Sequence, residues 1–175
     1  MNIQQQYAHT LAQWSDIRRH LPVLRKHARG NVLELGTRGG VSTVALLAGV
    51  EANGGHVWSV DVDDCGHLFD HPQWTFIRGD SRDVETIVFG YGVPDDLDLL
   101  FLDTLHDYHH VSDELEAWGH AVKPGGWILI HDTELSIGAR RAVLDWTLEN
   151  GIVTHFRRGS NGLGMIHIPN ETEED

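Results

Sequence analysis

Between Gly30 and Pro169 short apolar runs rich in β-branched residues alternate with stretches of helical periodicity, and no other feature of the chain constrains its fold as tightly. A strand parallel to its predecessor needs a crossover of a dozen or more residues, usually a helix, so the alternation predicts an α/β domain with a parallel sheet. Strands are expected at NVLELG (31–36), HVWSVDV (56–62), WTFIRG (74–79), LDLLFLD (97–103) and WILIHD (127–132). VSTVALLAGVEAN (41–53) reads as a helix. In HHVSDELEAWGHAV the residues Val111, Leu115, Trp118 and Val122 recur at helical spacing and form one stripe that can cover the sheet, with KPGG (123–126) as its stop. About eleven residues separate the second strand from the third, so the crossover helix there is expected to be short or missing.

The C-terminal part departs from the parallel rule. After a helix over GARRAVLDWTLENG, the runs IVTHFRRG (152–159) and GLGMIHIP (162–169) are separated only by Ser160 and Asn161, a spacing that permits only an antiparallel hairpin. Ahead of the core, SDIRRHLPVLRKHARG offers Ser15 as N-cap, Ile17, Leu21 and Leu24 as an apolar stripe, and Gly30 as terminator. YAHTLAQW before it has helical spacing at Tyr7, Leu11 and Trp14. The expected organisation is an N-terminal helical segment (1–30) that either packs as scaffold or closes over a ligand, one domain (31–169), and a disordered acidic tail (170–175).

Composition narrows the function classes. A chain of 175 residues, 41% of them hydrophobic, can bury one sizeable core. It has no apolar run of membrane-spanning length, its start lacks the basic and apolar regions of a signal peptide, and its single cysteine, Cys65, has no internal partner, so the cytoplasm is expected. A net charge of −13 repels phosphate backbones and the arginine pairs are scattered, so no nucleic-acid partner is expected; a homo-oligomer is left open. Of the 13 histidines, His9, His20, His27 and His56 sit apart and read as surface groups.

Chemistry concentrates at strand ends, where open α/β sheets place their ligand crevice. ELGTRGGVST (34–43) is a strand end, a glycine loop and a helix start, whose free N–H groups favour a polar or anionic ligand group. It is not G-x-G-x-x-G, and the carboxylate of Glu34 would oppose a pyrophosphate but suit a cationic ligand. Asp61 ends the second strand, placed to accept hydrogen bonds from both hydroxyls of a ribose. LFLDTLHDYHH (100–110) runs from strand four into Asp103, His106, Tyr108, His109 and His110, while His131 and Asp132 end strand five beside it.

NVLELGTRGGVST, VWSVD, IRGDS, LLFLDTLHDY, KPGGWILIHDT and the closing hairpin together resemble the successive motifs of class I S-adenosylmethionine-dependent methyltransferases, over roughly residues 15–168. Within that family the chain is most similar to the catechol O-methyltransferase and cephalosporin-hydroxylase-like (macrocin O-methyltransferase) branch. The resemblance implies a Rossmann-like doubly wound sheet of seven strands with an antiparallel C-terminal strand, S-adenosylmethionine as cofactor, and a small-molecule hydroxyl as acceptor. It implies a cofactor site at Glu34, Gly36, Thr37, Arg38, Gly40 and Ser42, with Asp61 and Val62 at the ribose, Asp80 and Ser81 beside the adenine, and Asp103 next to the methyl donor. It also implies a divalent metal at Asp103, His131 and Asp132, where the histidine suits manganese, iron or zinc better than magnesium; His131 bonding a backbone group instead is the other reading. His106 stands where the catechol branch has a lysine base, and an imidazole can fill that role; Tyr108 is expected to shape the pocket, with His109 and His110 in the solvated first turn of a helix. The rival readings are a nicotinamide-dependent reductase and an inactive S-adenosylmethionine-binding module.

Overall fold

In a computed structural model that describes residues 1–170, the apolar runs form seven strands: β1 (Gly30–Leu35), β2 (Gly55–Asp61), β3 (Trp74–Arg78), β4 (Leu97–Leu102), β5 (Val122–His131), β6 (Thr154–Arg157) and β7 (Leu163–His167). They hydrogen-bond in the order β3-β2-β1-β4-β5-β7-β6. The five strands from β3 to β5 are mutually parallel, whereas β7 runs antiparallel to both β5 and β6. This is the expected doubly wound sheet with its closing hairpin. The strand order reverses between β1 and β4, so the loops after β1, β4 and β5 gather at one crevice.

Among the described residues six helices cover the sheet: α1 (Ile3–Ala12), α2 (Leu21–His27), α3 (Val41–Asn53), α4 (Val84–Tyr91), α5 (Tyr108–Trp118) and α6 (Ile137–Glu149). Alternate residues of the central strands feed two cores. Leu33, Leu35, Leu100, Leu102, Ile128 and Ile130 meet α4, α5 and α6 on one face, with Trp118 fully buried among them. Val32, Leu99, Phe101 and Leu129 meet α1, α2 and α3 on the other. Central strands buried on both faces explain why their sequences read as continuous apolar runs instead of alternating ones. Ile3, Tyr7, Ile17, Leu21 and Leu24 belong to the second core, so the N-terminal helices are part of the packed structure.

Several local expectations are corrected. Ser15 does not cap a helix: residues 16–20 are turns and α2 begins at Leu21, because Pro22 fits the first helical turn, where its missing N–H is not needed. That helix ends at His27 with Ala28 as its C-cap, and Gly30 opens β1 instead of terminating the helix. KPGG lies inside β5; α5 has already stopped at Trp118 and passed through a single 3-10 turn at Gly119–Ala121. Helix α4, which the sequence reading left out, is capped by the Asp83 carboxylate accepting from Thr86 N at 3.2 Å and ends at Gly92 in the left-handed region. No helix lies between β2 and β3, as their short separation requires. Among the described residues no helix is long and apolar enough to cross a membrane. The acidic tail expected over 170–175 lies, apart from Asn170, outside the described residues.

Candidate active site

The loop after β1 bends where only glycine fits. Gly36 has φ +94°, and a Cβ there would fall 2.2 Å from the Asp103 carbonyl, so the β1 and β4 ends can lie against each other only without a side chain at this position. Asp103 N bonds Leu35 O at 2.8 Å and Gly36 N bonds Val60 O at 2.9 Å, which brings the ends of β1, β2 and β4 into line. At the far end of the loop Gly40, φ +73°, begins α3 against the Phe69 ring.

Glu34 is fully buried behind this loop. Its two oxygens accept the hydroxyls of Ser42 (2.6 Å), Thr43 (2.7 Å) and Ser59 (2.6 Å), tying β1 and β2 to the first turn of α3. Burial pushes its carboxyl up to about 7 against the pull of those three hydroxyls. The expectation that Glu34 presents its charge to a ligand is therefore corrected: the carboxylate is spent inside the protein, and Ser42 with it. Asp61 instead faces the loop, its Oδ2 accepting the N–H groups of Thr37 and Arg38 at 2.8 Å each while Oδ1 accepts only Asp63 N at 3.0 Å. Arg38, held this way, carries a positive φ of 47°.

A cleft of about 540 Å³ opens above the loop, lined by Gly36, Thr37, Arg38, Gly39, Val41 and Ser42 on one side and by Asp103, Thr104, His106 and Asp132 on the other. Trp14, Ser15, Asp16 and Ile17, from the turn between α1 and α2, form a third wall that the sequence did not single out. Of the expected cofactor residues, Gly36, Thr37, Arg38, Ser42 and Asp103 line this space; Glu34, Gly40, Asp61, Val62, Asp80 and Ser81 do not. Val62 is exposed beyond the end of β2. Asp80 is drawn to Arg82 at 2.8 Å, whose hydrogen bonds hold its carboxyl down at about 2. Ser81 bonds the buried Glu114 of α5, which also accepts from Thr104 at 2.8 Å and from His110 at 3.1 Å.

At the β4 and β5 ends four side chains converge. Asp103, His106, His131 and Asp132 each offer a ligand atom, all within 4.8 Å of one another. His106 Nε2 lies 2.9 Å from Asp132 Oδ2 and 3.3 Å from Asp103 Oδ1; His131 Nδ1 lies 3.0 Å from Asp103 Oδ1. His131 Nε2 is 2.9 Å from the Ser160 carbonyl, which only accepts, so this nitrogen carries a proton. Nδ1, 3.0 Å from Asp103 Oδ1, is then a second donor when the ring is charged and carries the lone pair when it is neutral. The expected bond of His131 to a backbone group is thus present, through Nε2, while Nδ1 is turned toward Asp103. Burial alone would lower His106, but its bonds to Asp103 and Asp132 raise it to about 9, so with these neighbours it carries its proton at neutral pH instead of accepting one. Burial disfavours the Asp103 and Asp132 anions too, yet the two imidazoles hold both carboxyls below their ordinary range.

Asp132 leaves β5 with φ 60°, a left-handed conformation that costs a non-glycine residue on the order of 1 kcal/mol, held by Ser136 N bonding its carbonyl at 2.8 Å. Its Oδ1 is buried without a hydrogen-bonding partner; the Asn161 side chain favours its charge only from beyond bonding geometry. Tyr108 does not shape the cleft: its hydroxyl bonds Asp145 of α6 at 3.0 Å. His110 is not solvated but tied to Glu114, and His20 is fully buried, its Nε2 2.7 Å from the Gly159 carbonyl.

A family model described as a methyltransferase domain matches residues 33–133. The chain belongs to this methyltransferase family. Sequence comparison with curated proteins finds no match. Among solved structures the fold is similar to the MycE methyltransferase of the mycinamycin biosynthetic pathway, in a complex with Mg, SAH and mycinamycin VI (TM-score 0.71, 19% identity over 99% of this chain and 55% of that one). It is also similar to the O-methyltransferase NovP (TM-score 0.69, 16% identity, 87% of this chain and 81% of that one) and to SAH-bound PaMTH1 of Podospora anserina (TM-score 0.62, 14% identity, 96% and 88%). The chain spans about half the length of MycE.

Proposed function

We propose that this methyltransferase-family chain uses S-adenosylmethionine to methylate a hydroxyl of a small molecule, with a divalent cation at the β4–β5 edge. One observation carries the reading: three buried polar atoms without partners, Ser15 Oγ, Thr37 Oγ1 and Asp132 Oδ1, all belong to residues lining the same cleft. Buried polar groups left unbonded cost about 1–3 kcal/mol each, and three of the six found among the described residues belong to this one cavity wall, which favours a polar ligand there. The volume is that of a typical small-molecule site.

The donor set fits a cation. Two carboxylates and the His131 Nδ1 form a mixed oxygen and nitrogen set that suits manganese, iron or zinc at least as well as magnesium, and the spare Asp132 Oδ1 adds an oxygen. When bound, S-adenosylmethionine supplies the methyl group and the cation supplies a Lewis acid for the acceptor oxygen. The chain's own residues do the rest. The N–H groups of Thr37 and Arg38, held by Asp61, keep the glycine loop in one shape against the cofactor. Ile17, buried, closes one wall of the cleft, and Asp103 and Asp132 share their charge between the acceptor side and the His106 ring. His106, aligned by Asp132, owes its proton to the charge of Asp103 and Asp132; with a cation on those carboxylates the ring would lose that support and be free to take the acceptor hydroxyl's proton.

Calorimetric titration with S-adenosylhomocysteine, with and without manganese or magnesium, tests this. Binding in the micromolar range, about 8 kcal/mol, is expected, with NAD failing to bind. Tighter binding of NAD, or no binding of S-adenosylhomocysteine under any metal condition, overturns it.

A further inference from the structure

On the α6 side of the β5 end a second cavity of about 460 Å³ is lined by Thr133, Glu134, Arg140, Phe156, Arg157 and Arg158. Three arginines, all exposed, and one glutamate belong to its wall, in a chain whose net charge is −13. Like charges gathered in an acidic protein are expected to be neutralised by its many carboxylates. Here they are not: among the described residues no carboxylate lies within 4.0 Å of Arg140, Arg157 or Arg158, although the neighbouring Arg141 pairs with Asp145. Glu134 is partly spent, because its Oε2 accepts Gly159 N at 2.7 Å. Arg140 is held in place by its guanidinium carbon lying 3.9 Å above the Phe156 ring, which leaves its N–H groups directed outward from a stacked plane.

A second, independent observation comes from Thr133. Its side chain is 1% exposed, it forms part of the cavity wall, and its hydroxyl has no hydrogen-bonding partner. An unsatisfied buried hydroxyl beside three unneutralised arginines is complementary to an oxyanion, which accepts bonds from both and matches the planar donors of arginine. We propose that this cavity is a binding site for a phosphate-like oxyanion, held by Arg140, Arg157 and Arg158 and by the Thr133 hydroxyl. The site adjoins the candidate active site along the chain, since Thr133 follows Asp132 directly and Ser160, two residues past Arg158, accepts from His131. The anion is either free or carried by the acceptor molecule itself; the second source rests on the methyltransferase reading, the first does not.

The test begins with sodium phosphate titrated into metal-free ¹⁵N-labelled protein in EDTA, at ionic strength matched with chloride, following the arginine Nε resonances. Saturable shifts of Arg140, Arg157 and Arg158, in roughly the 1–10 mM range and at least several-fold larger than those with chloride alone, are expected. Shifts equal to those in chloride, or shifts confined to other arginines, overturn the proposal. In the Arg157→Gln/Arg158→Gln variant the Arg140 response should weaken at least about tenfold; an unchanged response also overturns it. The two sources are then separated by methyl transfer from labelled S-adenosylmethionine to matched pairs of hydroxylated compounds with and without a phosphate ester. A preference of tenfold or more for the phosphorylated member, lost in the double variant, assigns the anion to the acceptor, and equal rates assign it to a free anion. S-adenosylhomocysteine titration of the same samples reads the cleft and not the arginines. Binding there without a phosphate response rejects the anion site alone, and the reverse rejects the methyltransferase reading alone.

Discussion

Replacing Glu34 by glutamine should change how stability depends on pH, and the structure gives the size and sign. The carboxyl is fully buried, and its displacement from an ordinary 4.5 to about 7 corresponds to about 3 kcal/mol. Because the folded form binds its proton more tightly than the unfolded one, this contribution is fully present below pH 4.5, shrinks as pH rises, and is lost above about 7. Glutamine has the same shape and does not titrate. Its amide oxygen, in the place of Oε2, can still accept the hydroxyls of Thr43 and Ser59, while Ser42, which bonded Oε1, is left facing the amide N–H2. The parent should therefore be the more stable protein at pH 4.5. Its advantage should fall by up to about 3 kcal/mol by pH 8. Urea unfolding of both proteins across that range in EDTA measures this, and taking the difference cancels every other titrating group. Parallel curves would refute the reasoning, and would mean that the hydroxyls of Ser42, Thr43 and Ser59 stabilise the anion enough to offset its burial.

Trp118→Ala should cost about 3–5 kcal/mol in urea unfolding, since the ring is fully buried and its Nε1 bonds Ser81 O at 2.7 Å; Trp118→Phe should cost less but leave that carbonyl unpaired. Asp61→Ala, by freeing the Thr37 and Arg38 N–H groups and removing a charged acceptor, should weaken S-adenosylhomocysteine binding by about 1.5–3 kcal/mol in calorimetry. Asp103→Asn should reduce manganese affinity and methyl transfer together, whereas His106→Ala should slow turnover by about 10²–10⁴-fold with the cofactor still bound, as read by single-turnover kinetics. Chelation with EDTA should stop methyl transfer by the parent and manganese should restore it; turnover indifferent to both would remove the metal from the mechanism.

Much of this architecture is written in local pattern. The period of apolar residues and the length of each connection determined seven strands, the parallel crossovers and the antiparallel hairpin, because those depend on what a few neighbouring residues can adopt. The boundaries of α3 follow directly from VSTVALLAGVEAN. The grouping of Asp103, His131 and Asp132 was also legible, since parallel neighbours β4 and β5 must place their ends side by side. The misreadings near helix ends have a different origin. Ser15 looked like a cap only until Pro22 claimed the first turn, and α4 is a short run, VETIVFGY, whose β-branched and aromatic residues suit a strand as well as a helix.

What the tertiary structure alone decided is where each polar group points. Glu34 and Asp61 are both acids at strand ends, yet one lies entirely under the loop among three hydroxyls and the other faces its N–H groups. Nothing in the local sequence separates them, because burial is set by α3, β2 and the loop packing together. His106 joins the two aspartates, and Trp14 comes over the cleft from about ninety residues away in the chain, through contacts between segments that share no sequence pattern. Arg140, Arg157 and Arg158 likewise looked like scattered pairs until α6 and the β6–β7 hairpin brought them to one cavity. Periodicity reports which face of an element is buried; the direction, charge state and company of a side chain at a strand end depend on distant segments, and only the folded chain brings those together.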